Sequence, residues 1–443
     1  MEILTPWGPE SSLRERMLRR GPGIPREDVA RNQRERLFGA MVASVARRGY
    51  EATRVTDLVE ISGVSSRTFY DLFADKRACF FAAMEATVDA AIAFTSAIAA
   101  EPGDWERRAR RGFKAFGAMI VAQPAAARMF LVDAYAAGPD SIAVMERAGA
   151  SFESLAREML DQSPERAAMP AEMISAHIGA MQEMARARLY RREEATLPDL
   201  LSELWDLMLV FRPPPAPLRL AVRPPAPPME ALGGHDHGER VRRALAAVVA
   251  ERGYGNATVD QIVKRASMST KTFYANYDGK EDALFDTLES GGAQMVAAVL
   301  PAFRRAPDWA HGIRAGFGAL FGYLGSRPAF ARLIAVEIYA AGPAAVERRA
   351  EIVRPLEELL LEGRERAPEI PPIAIEAIVG GVYTLVYRRI HEAGPERLPG
   401  LAPTCTYIAL APFIGAEQAC AVANGDGRHP PAGERGALRS SLA

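Results

Sequence analysis

At 443 residues, 49% of them hydrophobic and 25% charged, the chain is too long for one ordinary core and too apolar for a disordered protein. Its net charge of −1 excludes a chain that is basic throughout, although a sum hides its distribution: residues 1–76 carry 13 Lys and Arg against 11 Asp and Glu, residues 238–280 carry 8 against 4, and the remainder is acidic. Three scattered cysteines, Cys79, Cys405 and Cys420, exclude a disulfide framework and fit a reducing cytoplasm.

Residues 1–27 read as a flexible basic arm, with no apolar run for a signal peptide. A helix follows on the stripe Leu37, Met41 and Val45 and stops at Arg48-Gly49. A short helix over 55–62 stops at Gly63, and a second, capped by Ser65, runs through Thr68 to Phe73. The next helix starts near Lys76. Two short helices joined by a tight Gly-containing turn are the helix-turn-helix signature, here spanning residues 28–77. The apolar window at 82–100 carries Glu85 and Asp89 one turn apart, which makes a poor membrane span. From 78 to 211 the chain is rich in helix formers, with starts at Pro102, Pro124, Pro139 and Pro170.

Residues 212–238, dense in proline and then glycine, read as a partly extended linker. Beyond it the pattern begins again. "SSRTFYDLFADK" at Ser65 returns as "STKTFYANYDGK" at Ser269, with Phe69 and Phe273 204 positions apart. Arg48-Gly49-Tyr50, Trp105, Gly112-Phe113, Pro124 and the "AAGP" after Tyr135 all recur at that offset, and "LPDL" at Leu197 returns as "LPGL" three residues short of it. The chain is thus a duplication of an all-α domain of about 180 residues and not a solenoid. The second copy divides into a helix-turn-helix domain (239–281), where Ser267 replaces the turn glycine, and a helical domain (282–420). A disordered tail is expected over 421–443.

On a helix starting at Ser65, Phe69 and Phe73 share one face with Leu58 and Val64, as do Phe273, Tyr277, Ile262 and Met268 in copy two. The opposite face offers Ser66, Arg67, Thr68 and Tyr70, or Thr270, Lys271, Thr272 and Tyr274. Hydroxyls, a cation and a phenol suit phosphates and base edges in a major groove. "RGYEATRVTDLVEISGVSSRTFYDLFADKRACF" and "RGYGNATVDQIVKRASMSTKTFYANYDGKEDALF" resemble the DNA-binding domain of TetR-type transcriptional regulators. The resemblance implies a three-helix DNA-binding head, a helical ligand-binding core and a dimer interface made by the last two helices of each copy. It places double-stranded DNA against Ser66, Arg67, Thr68 and Tyr70, and Thr270, Lys271, Thr272 and Tyr274, with Lys76 and Lys280 on the phosphate backbone. Thr53, Arg54, Ser65, Thr258, Ser269 and Asn276 complete the candidate set.

Where the family commonly has Tyr-His, copy one has Asp71-Leu72 and copy two Ala275-Asn276. Asp71 repels phosphate, whereas Asn276 suits adenine. The resemblance further implies a small lipophilic effector. Candidate lining residues are Phe113, Phe116, Met119, Phe130 and Tyr135, with Phe317, Leu320, Phe330 and Tyr339 in copy two. The expected function is a repressor with two non-identical reading heads on an imperfect palindrome, released by that effector. The chain either pairs its own copies or forms a homodimer of tandem chains. No enzyme motif is present, and neither a cofactor nor a metal is expected; His235 and His237 lack a third ligand. The rival reading is a helical ligand- or protein-binding module with degenerate heads.

Overall fold

The computed structural model describes residues 2–18, 23–137, 139–219 and 236–426. Among them the only strands are Leu4–Thr5 and Gly8–Pro9, paired as a minimal hairpin, and the rest of the regular structure is helical. In copy one the helices are α1 (Glu10–Leu13), α2 (Arg26–Ala52), α3 (Val55–Ser62), α4 (Ser66–Leu72), α5 (Lys76–Ala99), α6 (Trp105–Ala122), α7 (Pro124–Leu131), α8 (Pro139–Leu160), α9 (Ala171–Arg191) and α10 (Leu197–Val210). In copy two they are α11 (His237–Arg252), α12 (Val259–Arg265), α13 (Thr270–Tyr274), α14 (Lys280–Arg304), α15 (Trp309–Gly325), α16 (Pro328–Arg332), α17 (Pro343–Glu357), α18 (Leu361–Arg366), α19 (Ile373–Ala393), α20 (Ala402–Ile414) and α21 (Ala416–Asn424).

Local chemistry sets the breaks. Gly49 takes φ 76° and Gly253 φ 78°, a conformation open to glycine, so α2 breaks at Gly49, with one short turn to Ala52 beyond it, and α11 ends at Arg252. Asp75, Asp104 and Asp308 cap α5, α6 and α15 through their carboxylates. Among the described residues one single helix, Lys76–Ala99, is long and apolar enough to cross a membrane. Its Cys79, Phe80, Ala83 and Met84 are instead fully buried against Leu37, Met41 and Phe69 of the first head.

Three expectations about the chain's edges are corrected. Part of the arm at 1–27 is folded: Leu13 is fully buried against Gly39 of α2, and Arg47 of α2 pairs with Glu10. The first residues of the linker dock rather than dangle. Tyr407 donates to the Arg212 carbonyl at 2.7 Å, and Asn424 takes the Arg219 amide at 2.6 Å. Residues 220–235 lie outside the described set. The expected tail does not begin at 421, since α21 carries 421–424 in a helix whose Ala419 and Cys420 are buried; the expectation for 427–443 lies outside the described residues.

The copies meet along α9 and α19, with α10 and α20 flanking them. Small residues permit this approach: a Cβ on Gly381 would lie 2.9 Å from the Ala176 carbonyl oxygen, and one on Gly179 would overlap Thr384. Crossing ion pairs flank the seam, Arg188 with Glu376 and Arg388 with Glu153 at 2.7 Å. At its centre the buried Arg186 donates to the Leu131 carbonyl (2.8 Å), to the Tyr135 hydroxyl (2.9 Å) and, across the seam, to the Tyr339 hydroxyl (3.2 Å), and it pairs with Glu183. The Tyr339 hydroxyl in turn donates to Glu183 at 2.8 Å, which links the carboxylate, the guanidinium and the phenol across the seam. Tyr135 and Tyr339, equivalent residues of the two copies, stack at 4.5 Å.

Candidate nucleic-acid interface

Each head is built on the inner face of its second short helix. Phe69 is fully buried with Leu58, Val64 and Phe73, and Phe273 is fully buried with Ile262 and Tyr277. The Ser65 hydroxyl accepts from the Thr68 amide at 3.1 Å, and Ser269 accepts from Thr272 at the same distance, so these serines are caps before they are anything else. The turn between the short helices needs a positive φ in both copies. Gly63 adopts φ 65° and Ser267 adopts φ 51°, the latter outside the comfortable range for a side-chain-bearing residue.

The outward face carries Ser66, Arg67 and Tyr70 in copy one and Thr270, Lys271 and Tyr274 in copy two, all exposed, with Thr68 and Thr272 beside them. Tyr70 is 59% exposed and Tyr274 55%, each standing edge-on to the buried Phe before it. A large phenol left in solvent on a rigid helix adds nothing to the core and is open to a partner. Asp71 is exposed on the same stretch, and the Asn276 amide is folded back onto the Thr272 carbonyl at 2.8 Å. Arg54 and Thr258 sit exposed at the starts of α3 and α12, where Thr258 caps α12.

Three candidates do other work. Thr53 is 2% exposed and bonds the Gly49 carbonyl at 2.9 Å, closing the turn after the glycine. Lys76 donates to the Tyr50 carbonyl (2.9 Å) and the Glu51 carbonyl (3.3 Å) with its ammonium 4.2 Å above the Tyr50 ring. Lys280 repeats this with the Tyr254 and Ala257 carbonyls (2.8 and 2.9 Å), and burial lowers its pKa. Both ammonium groups therefore fasten the loop after the first helix. A further pair went unnoticed in the sequence: Arg36 reaches the Ser62 carbonyl at 2.7 Å and Arg240 the Ala266 carbonyl at 2.9 Å. Each guanidinium holds the end of α3 or α12, and the signal was the recurrence of arginine at the common offset.

Behind the heads the copies diverge. Copy two holds an apolar cavity of about 170 Å³ between α14, α15, α17 and α19, lined by Phe317 and Leu320 with Val299, Ile313 and Val382. The counterpart in copy one shrinks to about 60 Å³, where Phe113 and Phe116 meet Phe152. Met119 and Phe130 pack in the core, Tyr135 and Tyr339 sit in the inter-copy network, and Phe330 faces a separate groove beside Arg327 and Tyr323. These five do not line the expected cavity.

Two compact heads, each presenting a polar, aromatic-tipped short helix after a tight turn, define a tandem helix-turn-helix protein. The model for bacterial regulatory proteins of the tetR family matches residues 40–83 and again 242–286. Both heads accordingly belong to the tetR family of bacterial regulatory proteins, whose DNA-binding domain this chain carries in two tandem copies. No curated protein matches it. Among solved structures it is similar to the fatty acid degradation regulator FadR from Bacillus halodurans (21% identity, 41% of this chain and 98% of that one, TM-score 0.38). It is also similar to the transcriptional regulator FadR from Bacillus subtilis, solved in complex with stearoyl-CoA (18% identity, 39% and 98%, TM-score 0.34). A TetR family transcription regulator from Marinobacter aquaeolei matches at 21% identity over 40% and 94% of the two chains, TM-score 0.32.

Proposed function

We propose that one chain is a complete cytoplasmic repressor, an intramolecular pseudo-dimer whose α4 and α13 enter successive major grooves of double-stranded DNA. The observation that carries this reading is the α9–α19 seam with its buried Arg186 network, which joins the helical domains behind the two heads. Tethering keeps each copy at high effective concentration near the other. Ser66, Arg67, Thr68 and Tyr70 read one half-site, and Thr270, Lys271, Thr272 and Tyr274 the other. The half-sites differ because Arg67 forks onto a guanine edge where Lys271 offers a point charge, and because Asn276 suits adenine once it releases the Thr272 carbonyl. The operator is therefore an imperfect palindrome, weaker on the side where Asp71 faces phosphate.

Release follows from a lipophilic effector in the copy-two cavity. Ile334 and Ala335 line that cavity from a π-helical segment, Leu333–Glu337. The last residue of that segment, Glu337, accepts from the Tyr254 amide of the second head at 2.9 Å. The Tyr254 carbonyl is the one Lys280 holds. A wall that shifts on filling thus pulls on the loop that orients α13, and a coupling of about 1–3 kcal/mol is the usual scale of such effects. The rival reading, a binding module with degenerate heads, draws on the exposed Asp71.

The test is selection of genomic DNA fragments by the purified chain under rising salt, with the mass of the bound species measured. One chain per selected site, with affinity falling steeply as salt rises, is the expected result. Two chains per site replace the pseudo-dimer by a four-headed assembly, and no selection at low salt sinks the repressor reading.

A further inference from the structure

The copy-two cavity contains one group out of keeping with its walls. Arg349, on α17, lines it, and its Nε and Nη1 are shut off from solvent without a hydrogen-bond partner. What the guanidinium does have is ring faces, Tyr383 at 4.2 Å and Tyr339 at 5.7 Å. Rings stabilise a cation but leave its N–H donors unmet, and an arginine cannot escape by losing its proton. A buried cation with unused donors is costly unless something else completes it. The duplication supplies an internal control. At the equivalent position copy one carries Met145, packed into the core, and the same copy has its cavity narrowed by Phe116 and Phe152. The cation and the larger cavity occur together in copy two, and copy one has neither. The other ionisable groups of the wall are Tyr383 and Glu357, the latter two turns along α17; burial pushes the Glu357 carboxyl up towards the neutral form, against the opposing pull of Arg349.

We infer that the cavity takes an apolar molecule ending in a carboxylate, one per chain, with the Arg349 guanidinium as its anchor and the apolar body lying along Val299, Phe317, Leu320 and Val382. The inference rests on the effector reading above and adds the ligand's charge, its anchor and its stoichiometry. Arg349 offers paired donors in the flat fork that a carboxylate accepts. It also stands on Tyr339, the residue that crosses to Arg186 and Glu183, so the anchored head group sits where the two copies join.

The full-length chain is titrated calorimetrically with decanoate and with 1-decanol, as wild type, as Arg349→Met (the residue type of copy one) and as Arg349→Lys. Decanoate is expected to bind once per chain and at least about tenfold more tightly than decanol. Arg349→Met is expected to abolish that preference while decanol still binds, which also shows that the variant is folded, and Arg349→Lys to keep part of it. If wild type binds both probes equally, or Arg349→Met holds decanoate as tightly as wild type, the anchor is overturned while the cavity reading stands. If neither probe binds, the cavity reading falls with it, and two decanoates per chain overturn the stoichiometry.

Discussion

Phe116 and Phe152 of copy one meet edge to face at 5.8 Å in the space that Leu320 and Leu356 leave open in copy two. Around that difference others gather. Copy two has the cation Arg349 where copy one has Met145. It has a π-helical segment ending on Glu337 where copy one has a short 3-10 stretch beginning at Asp133. Glu337 reaches its head's Tyr254 amide; the shorter Asp133 is half-buried, its carboxyl pushed up to about 6 by desolvation. The heads, by contrast, repeat almost group for group: the same serine cap, the same buried phenylalanine, the same lysine on the same loop. The two copies pack together along α9 and α19, and copy two keeps the larger interior space.

The largest effect is expected at the heads, where the comparison predicts likeness. Thr272→Ala with Tyr274→Ala, and separately Thr68→Ala with Tyr70→Ala, should each weaken operator binding by about 2–4 kcal/mol in a salt-controlled titration. A loss confined to the copy-two pair would break the likeness and make the first head, with its Asp71, a structural remnant. The next effect tests the contrast between interiors. Leu320→Phe with Leu356→Phe, copying copy one, should reduce decanoate affinity more than tenfold without lowering the unfolding midpoint, because added rings fill existing space. The reverse change, Phe116→Leu with Phe152→Leu, should destabilise by about 1–3 kcal/mol and open a second cavity.

The heads were legible because their determinants are local: a serine three residues before a threonine amide caps a helix whatever surrounds it, and Phe69 and Phe73 fall on one face by spacing alone. The loop-fastening role of Lys76 and Lys280 was not legible, because a lysine opening a helix looks free until the loop at 50–51 or 254–257 is brought beside it, and only tertiary structure does that. Thr53 was misread for the same reason, its hydroxyl being spent on the Gly49 carbonyl and the Ser44 hydroxyl. The interiors were less legible still. Phe113 and Phe116 share a helical stripe with the same period as Phe317 and Leu320, so periodicity proposes two equal pockets. Volume is decided by what the facing helix supplies, Phe152 or Leu356, and the stripe carries no information about its partner.

The seam between the copies supplies the next prediction. A methyl on Gly381 would press on the Ala176 carbonyl oxygen at 2.9 Å, a backbone atom with little room to give, whereas a methyl on Gly179 meets the movable Thr384 side chain. Gly381→Ala should therefore cost about 1–3 kcal/mol of stability and loosen the pairing of the copies, while Gly179→Ala paired with Thr384→Ala should cost less. Chemical unfolding followed through the Trp fluorescence reads the difference; equal losses would mean that side chains, not backbone contact, set the approach.

The smallest effect tests a last asymmetry in the same seam, His177 opposite its copy-two counterpart Ile378. His177 is buried against Phe211 at 4.8 Å with Nε2 unpartnered, and burial pushes its pKa down to about 4. An unfolded histidine titrates near about 6.5, so between about pH 6.5 and 4 the unfolded chain binds the proton more readily than the folded one. Stability from this site is complete above about pH 6.5 and is lost as pH falls towards 4. His177→Ile should match wild type at about pH 7.5 and exceed it by about 1 kcal/mol at about pH 5.5, where one pH unit is worth about 1.4 kcal/mol. Asp133 titrates with the opposite sign in this range, since its folded carboxyl holds a proton up to about pH 6, but it is present in both proteins and cancels in their difference. A difference between the two proteins that stays flat from about pH 7.5 to 5.5 would place His177 in water, and with it open the seam that the buried ring now closes.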